Sequence, residues 1–158
     1  MRRSMEISAG LLAFRRSDGL EVLLAHPGGP FWAKKDAGVW TIPKGLVAAN
    51  EDLLTAARRE FTEETNLTAP VDTVEQTITL APVNQKSGKV VHAFAFEADF
   101  DLTRCVSNSF EMEWPPRSGR RQSFPEIDRL AYFTLAAARD KIIAYQLPLL
   151  DELERRLR

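Results

Sequence analysis

Three glutamates stand at positions 60, 63 and 64, a spacing of i, i+3 and i+4. On an α-helix, at about 100° per residue, Glu63 falls roughly 60° to one side of Glu60 and Glu64 roughly 40° to the other, so all three share one face. Like charges so placed repel and weaken the helix that carries them. A hard divalent cation turns that repulsion into binding, and Mg²⁺ favours carboxylate oxygen. On spacing alone, a solvated acidic face is the commoner explanation. Two neighbours shift the balance. Arg59 sits beside the carboxylates, within reach of Glu51 or Glu63, and Gly45 ends a strand-and-turn segment where a bare backbone can approach a ligand or metal.

The elements that must hold these residues follow from pattern. Residues 51–66 read as a helix, with Asn50 as its N-cap, Glu51 and Asp52 as acids of its first turn, and Leu54, Ala57 and Phe61 as a buried stripe. Residues 7–14 and 20–25 read as a hairpin across Asp18-Gly19. Residues 26–36, with Pro27-Gly28-Gly29-Pro30, read as a loop, and 39–42 as a short strand stopped by Pro43. Residues 71–80 and 90–98 read as paired strands with Gln85-Lys86-Ser87-Gly88 as a turn. The polar stretch 101–125, holding Pro115, Pro116 and Gly119, reads as a long loop, which in a compact domain is usually functional or mobile. Residues 129–135 form a last strand and 136–145 a helix; Pro148 breaks the pattern and 149–157 continue as a further helical piece. Strands, helix, strands, helix over 158 residues predict one α/β (α+β) domain, spanning 1–158, with a mixed β-sheet sandwiched between α-helices.

Composition excludes several function classes. A net charge of −1, from 21 basic and 22 acidic side chains, argues against coating nucleic acid by bulk charge. The basic start Met1-Arg2-Arg3 and the apolar residues 9–14 only superficially resemble a signal peptide, because Glu6 interrupts the approach and Arg15-Arg16 closes it without a cleavage site. No apolar run nears the roughly 20 residues that span a bilayer, so no membrane association is expected. Cys105 is the single cysteine, and a lone thiol cannot form an internal disulfide. A reducing, cytoplasmic setting is the expectation, with Cys105 a small apolar filler or surface thiol.

The acidic helix belongs to a longer pattern. Gly45, five residues, Glu51, seven residues, Arg59-Glu60, the apolar Phe61, Thr62, Glu63-Glu64, Thr65, Asn66 and the apolar Leu67 resemble the Nudix box, and Trp40-Thr41-Ile42-Pro43-Lys44-Gly45 resembles the strand that leads into it. The one departure is Asn66, where the family carries Gly; Asn is the next best residue for a left-handed helix end. The resemblance implies the Nudix fold and a hydrolase that cleaves a diphosphate linkage with Mg²⁺, for which Mn²⁺ can substitute. It implies Glu60 and Glu64 as metal ligands, Glu63 as a further ligand or base, the Gly45 carbonyl as a backbone ligand, and Arg59 paired with Glu51 to orient the carboxylates. A small-molecule nucleotide is the implied substrate.

Further along, Phe124-Pro125-Glu126-Ile127-Asp128-Arg129 leads into the last strand, where Nudix enzymes that cleave dinucleoside polyphosphates carry a glutamate as extra ligand or general base. Glu126 takes that role, with Glu97, Glu111 and Glu113 as rivals. Ala9-Gly10-Leu11-Leu12-Ala13-Phe14-Arg15 and Pro43-Lys44-Gly45 resemble the diadenosine tetraphosphate hydrolase branch, while 107–121 resemble a bacterial branch whose substrate is unsettled. Lys44, Lys34, Lys35, Arg117, Arg120 and Arg121 are candidates for phosphate contacts, against the ordinary alternative of solvated surface cations. Trp32, Phe31 and Trp114 are candidates to stack on a base, against the alternative of loop anchors. His26 reads as a loop residue and His92 as a strand residue. Competing functions are a nucleoside triphosphate pyrophosphohydrolase of house-cleaning type and a non-catalytic nucleotide-binding module; a homodimer is left open.

Overall fold

The structure, a computed structural model, describes residues 6–158, so the basic Met1-Arg2-Arg3 start lies outside the described residues. Strands β1 (Ile7–Ser17) and β2 (Gly19–Pro27) form the expected hairpin, Ser17 pairing with Gly19 around Asp18. Gly19 has φ +109, a conformation open to glycine at little cost. β1 is central. One side runs parallel to β6 (Val90–Glu97) in unbroken register from Ile7↔Val90 to Phe14↔Glu97. On its other side, residues 14–17 pair with β2, whereas Ser8–Gly10 pair antiparallel with β3 (Lys44–Leu46). The main path is completed by β9 (Ile127–Thr134) beside β2 and β4 (Ile78–Thr79) beside β6, giving the order β4-β6-β1-β2-β9; β5 (Val83–Asn84) also pairs with β6.

Strand alternation builds two cores, one per face of this sheet. Leu12, Phe14, Val22, Leu24, Val91, Ala93 and Ala95 point to one side, where they meet Ala138 of α2 (Leu135–Lys141) and Leu149, Leu150 and Leu153 of α3 (Leu147–Arg156). Ala9, Leu11, Ala13, Leu23, Phe94 and Phe96 point to the other, where they meet Leu54, Ala57 and Phe61 of α1 (Leu53–Thr65). Phe61 is fully buried and packs edge-on to Phe96. Burial of such a ring contributes roughly 1.5–3 kcal/mol. The sheet thus lies between helices, as the alternation of strand and helix patterns predicts.

Several boundaries differ from expectation. The N-cap of α1 is Asp52, whose carboxylate accepts from the Thr55 backbone N–H at 3.1 Å; Asn50 instead takes a left-handed φ of 63, and no acid lies in the first turn. Residues 39–42 make only isolated bridges, Ala25↔Thr41 and Trp40↔Ile142. Residues 71–80 are largely irregular, with a 3₁₀ turn at Val74–Gln76 before the two residues of β4. The 101–125 stretch is not a loop: β7 (Ser109–Glu113) and β8 (Arg121–Pro125) form a separate antiparallel hairpin. The helix expected over 136–145 ends at Lys141, and Pro148 opens α3 rather than breaking it, because a first-turn proline sacrifices no helical hydrogen bond. No helix among the described residues is long and apolar enough to cross a membrane.

The connection from β2 to α1 is held on every side. Ala25 and Thr41 exchange backbone hydrogen bonds at 2.8 and 2.9 Å, Leu11 N–H donates to Pro43 O at 3.2 Å, and the fully buried Gln146 accepts from Ile42 N–H at 3.0 Å through its side-chain oxygen. Gly10 makes this possible, since a Cβ there would lie 2.6 Å from Pro43 O and 2.8 Å from Lys44 Cβ. The Pro43-Lys44-Gly45 turn is thereby fixed against the sheet, beneath the acidic face of α1.

Candidate active site

Glu60, Glu63 and Glu64 occupy the last two turns of α1, facing the turn at Gly45. The approach is close enough to require glycine. A Cβ on Gly45 would lie 2.6 Å from Glu60 Oε1 and closer still to Cδ and Oε2, whereas ordinary contact begins near 3.4 Å. Gly45 is not among the residues with positive φ, so close approach, not backbone conformation, explains the residue type. Glu64 turns the other way and accepts from the Lys44 backbone N–H at 3.2 Å.

Arg59 organises the rest. Its Nε and Nη2 donate to the two carboxylate oxygens of Glu51 at 2.9 and 3.0 Å, a bidentate pair. Nη2 also donates to Leu46 O at 3.0 Å, and Nη1 donates to Glu60 at 2.9 Å and to Glu63 at 3.2 Å. Glu51 in turn accepts from Ala48 N–H at 3.0 Å, closing the 46–51 loop onto the helix. Arg59, with the Ala48 amide, holds the Glu51 carboxyl at a pKa of about 2, and the surrounding acids push Arg59 above its usual value, Glu51 foremost.

Glu64 is the electrostatic outlier. Burial first, then the negative charges of Glu60 and Glu126, push its carboxyl up to about 8, opposed by the cation of Lys44. Burial lowers the Lys44 ammonium, while Glu64 and Glu60 act to raise it. Glu126 is raised as well, by partial burial and then by the charges of Glu60 and Glu63. Four carboxylates from two distant segments therefore share one field. Such repulsion between acids, with only oxygen donors on offer, is the environment that a hard divalent cation relieves. Among the described residues no three His, Cys, Asp or Glu are already closed around a point; Arg59 draws Glu60 and Glu63 to one side while Glu64 turns to Lys44. The all-oxygen donor chemistry fits Mg²⁺, and the bare Gly45 backbone lets the Glu60 carboxylate come close to the turn.

Glu126 is placed by backbone contacts. Gly28 N–H donates to Glu126 O at 2.8 Å and Glu126 N–H donates to Asn108 O at 2.8 Å. The crossing is so tight that a Cβ on Gly28 would fall on the Pro125 carbonyl. Val106 N–H donates to Thr65 O at 3.0 Å, tying the root of the β7–β8 hairpin to the residue after Glu64.

A model of the NUDIX domain family matches residues 6–153. The chain belongs to the NUDIX family. It is accordingly a hydrolase acting on pyrophosphate bonds, in a family that generally uses divalent metal ions such as Mg²⁺. Solved NUDIX structures share its fold over nearly the whole chain. A C. elegans Ap4A hydrolase in a binary complex is 23% identical with a TM-score of 0.63, covering 95% of this chain and 97% of its own. The NUDIX domain of Shewanella oneidensis NrtR complexed with ADP ribose is 18% identical with a TM-score of 0.68, covering 99% and 91%. A mutT/nudix family protein from Listeria innocua is 17% identical with a TM-score of 0.65, covering 99% and 96%. No curated protein matches in sequence.

Within this NUDIX fold, the box residues Gly45, Glu51, Arg59, Glu60, Glu63 and Glu64 meet in one place, and Asn66 caps α1 with φ 61 in the left-handed region. Lys44 joins them. Glu97 does not: it pairs in register with Phe14, five residues along β1 from the Gly45 partner Ala9, or roughly 16 Å. Glu111 lies on β7 and pairs loosely with Arg121 at 3.8 Å; Glu113 lies on the same exposed face. Among the described residues, Trp32, Lys34 and Arg120 are exposed and share no hydrogen bond or ion pair with the carboxylates, and Lys35 lies over the Trp32 ring at 5.2 Å. Cys105 is half-buried and burial raises its thiol, in keeping with a filler.

Sequence reading overlooked two positioning groups. Gly28 was visible only as a turn residue, although its Pro-Gly-Gly-Pro context marks a place of close approach. His26 is not a loop residue but a fully buried member of β2, its Nδ1 2.7 Å from Asp128 Oδ1 and its Nε2 2.6 Å from Lys35 O. It ties the 31–36 turn to β9 two residues beyond Glu126.

Proposed function

We propose that this NUDIX chain is a Mg²⁺-dependent pyrophosphohydrolase acting on a nucleoside diphosphate derivative, foremost a dinucleoside polyphosphate such as diadenosine tetraphosphate. The observation that carries the reading is the meeting of Glu60, Glu63, Glu64 and Glu126 around a turn with no side chain at Gly45.

Glu60, Glu64 and the Gly45 carbonyl hold the cation, with Glu63 completing the set. When bound, Mg²⁺ supplies charge neutralisation at the diphosphate oxygens and acidifies water beside them. Arg59 fixes the orientation of Glu60 and Glu63, with Glu51 as its anchor. Glu126 approaches the cluster from another segment, on a rigid backbone crossing, and partial burial with the charges of Glu60 and Glu63 raises its carboxyl, which favours proton uptake. It takes the proton of the attacking water. Lys44 adds positive charge at the same mouth for a phosphate oxygen.

The likeness to the Ap4A hydrolase over nearly the full length of both chains supports a dinucleoside polyphosphate. The retention of all three box carboxylates, Glu60, Glu63 and Glu64, argues against a purely binding module. The test is a product screen over diadenosine tetraphosphate, ADP-ribose and nucleoside triphosphates with Mg²⁺ or Mn²⁺, run in ¹⁸O-labelled water to mark the attacked phosphorus. Fastest turnover of diadenosine tetraphosphate supports the reading. Turnover of triphosphates alone would replace it with the house-cleaning alternative.

A further inference from the structure

The β7–β8 hairpin does nothing for either core: its two strands pair only with each other. It nevertheless springs from the carboxylate site. Its root is tied to the C-terminal end of α1 through Val106 N–H and Thr65 O, and to the loop after β2 through Gly28 N–H and Glu126 O. Five-residue strands then carry it roughly 15 Å outward.

One face of the hairpin, Phe110 and Phe124, packs toward the loop after β2, where the Phe110 ring lies against Gly29. Farther out, Trp114 meets Phe31 edge to face at 5.4 Å. Phe31 is 58% exposed and Trp32 38%, so ring surface remains open to solvent beside that contact. Cations lie close to it along the chain. Trp114 N–H bonds Arg120 O at 2.9 Å, Arg117 sits in the connecting turn with φ 61, and Lys34 and Lys35 follow Trp32. Among the described residues, none of Lys34, Lys35, Arg117 or Arg120 has a carboxylate within ion-pair distance, whereas Arg15, Arg58, Arg59, Arg139 and Arg156 all do. The acids of the hairpin, Glu111 and Glu113, lie on its opposite strand face, and Glu111 is matched with Arg121.

Unpaired cations beside open aromatic rings, at the end of an arm rooted in the hydrolytic site, match the chemistry of a phosphate chain ending in a base. We infer that the β7–β8 hairpin, together with the 31–35 turn, is the binding site for the distal half of a dinucleoside polyphosphate: Arg117, Arg120 and the two lysines take phosphates beyond the cleaved linkage, and Phe31 and Trp114 take the second base. The arm makes the enzyme selective for long substrates over short diphosphates. This inference rests on the substrate reading above.

The test is calorimetric binding, in Mg²⁺, of methylene-bridged analogues of diadenosine tetraphosphate and of ADP-ribose to the wild-type chain and to Arg117→Ala/Arg120→Ala. Both arginines are exposed, so the fold is unaffected. The wild-type chain binds the long analogue at least tenfold more tightly than the short one. The double variant loses that preference by at least tenfold while its affinity for the short analogue stays within twofold. Phe31→Leu lowers affinity for the long analogue alone. A wild-type preference that survives in the double variant overturns the arm's role and leaves the substrate reading intact. Absence of any preference in the wild type overturns both.

Discussion

Replacing Gly45 with alanine perturbs the proposed metal site with a single carbon. The backbone at Gly45 is not left-handed, so alanine introduces no φ strain. Its Cβ would stand within 2.6 Å of Glu60 Oε1 and nearer to Oε2, against an ordinary contact distance of about 3.4 Å. Glu60 is attached through a flexible side chain that is 16% exposed, so its carboxylate can retreat by about 1 Å at small cost to the fold. Loss of stability should stay near 1 kcal/mol, a melting shift of about 2–4 °C for a chain of this size. Function should suffer much more, because a misplacement of about 1 Å in a positioned group can cost roughly 10²-fold in rate. The assay combines Mn²⁺ binding, followed by the electron paramagnetic resonance signal of free Mn²⁺, with Mg²⁺-dependent turnover. Gly45→Ala should weaken Mn²⁺ at least tenfold and lower kcat by about two orders of magnitude. Adding Glu60→Asp, one methylene shorter, should give back part of the loss, so the two changes are not additive. A folded Gly45→Ala protein with wild-type Mn²⁺ affinity and wild-type kcat refutes the reasoning.

Other outcomes follow from the same contacts. Glu126→Gln should lower kcat by about 10²-fold or more with KM little changed, the mark of a lost proton acceptor; an unchanged kcat moves that role elsewhere. In the metal-free enzyme Glu64 is raised to about 8 from 4.5, so the folded state binds more protons than the unfolded state between those values. Its contribution to stability is present in full below about 4.5 and lost as pH rises through 8, and Mg²⁺ reverses the loss by displacing the proton. Calorimetry in buffers of different ionisation enthalpy should therefore show most of a proton released per Mg²⁺ site at pH 7 and little at pH 9; equal release at both counts against the assignment. His26→Leu should destabilise by about 1–3 kcal/mol, because the buried Lys35 carbonyl contact is lost and Asp128 loses its partner; denaturant midpoints measure it.

Much of this arrangement was legible in the residues themselves. The i, i+3, i+4 acids and the Phe61 stripe share one helix because a single 3.6-residue period serves both the buried and the acidic face. The Asp18-Gly19 hairpin and the left-handed Asn66 follow from local chemistry alone. What local chemistry does not encode is which of two nearby polar residues caps a helix: Asp52 takes the cap, while Asn50 supplies the left-handed turn two residues before it. The β7–β8 hairpin was hidden because Pro115, Pro116 and Gly119 dominate its composition, while its alternation, Phe110 and Met112 against Glu111 and Glu113, spans only five residues. His26 precedes Pro27-Gly28, so its context reads as loop; its burial depends on Asp128, about a hundred residues away. The convergence of Glu126 on α1 is likewise a product of tertiary backbone contacts at Gly28 and Asn108.

The most direct measurement is anomalous diffraction from crystals soaked in Mn²⁺ with a non-hydrolysable dinucleoside polyphosphate. A Mn²⁺ peak within about 2.5 Å of Glu60 and Glu64 carboxylate oxygens and the Gly45 carbonyl, with a bridging phosphate beside Glu126, is the predicted result. A phosphate chain bound with no cation at those oxygens, or a cation held elsewhere, contradicts the account.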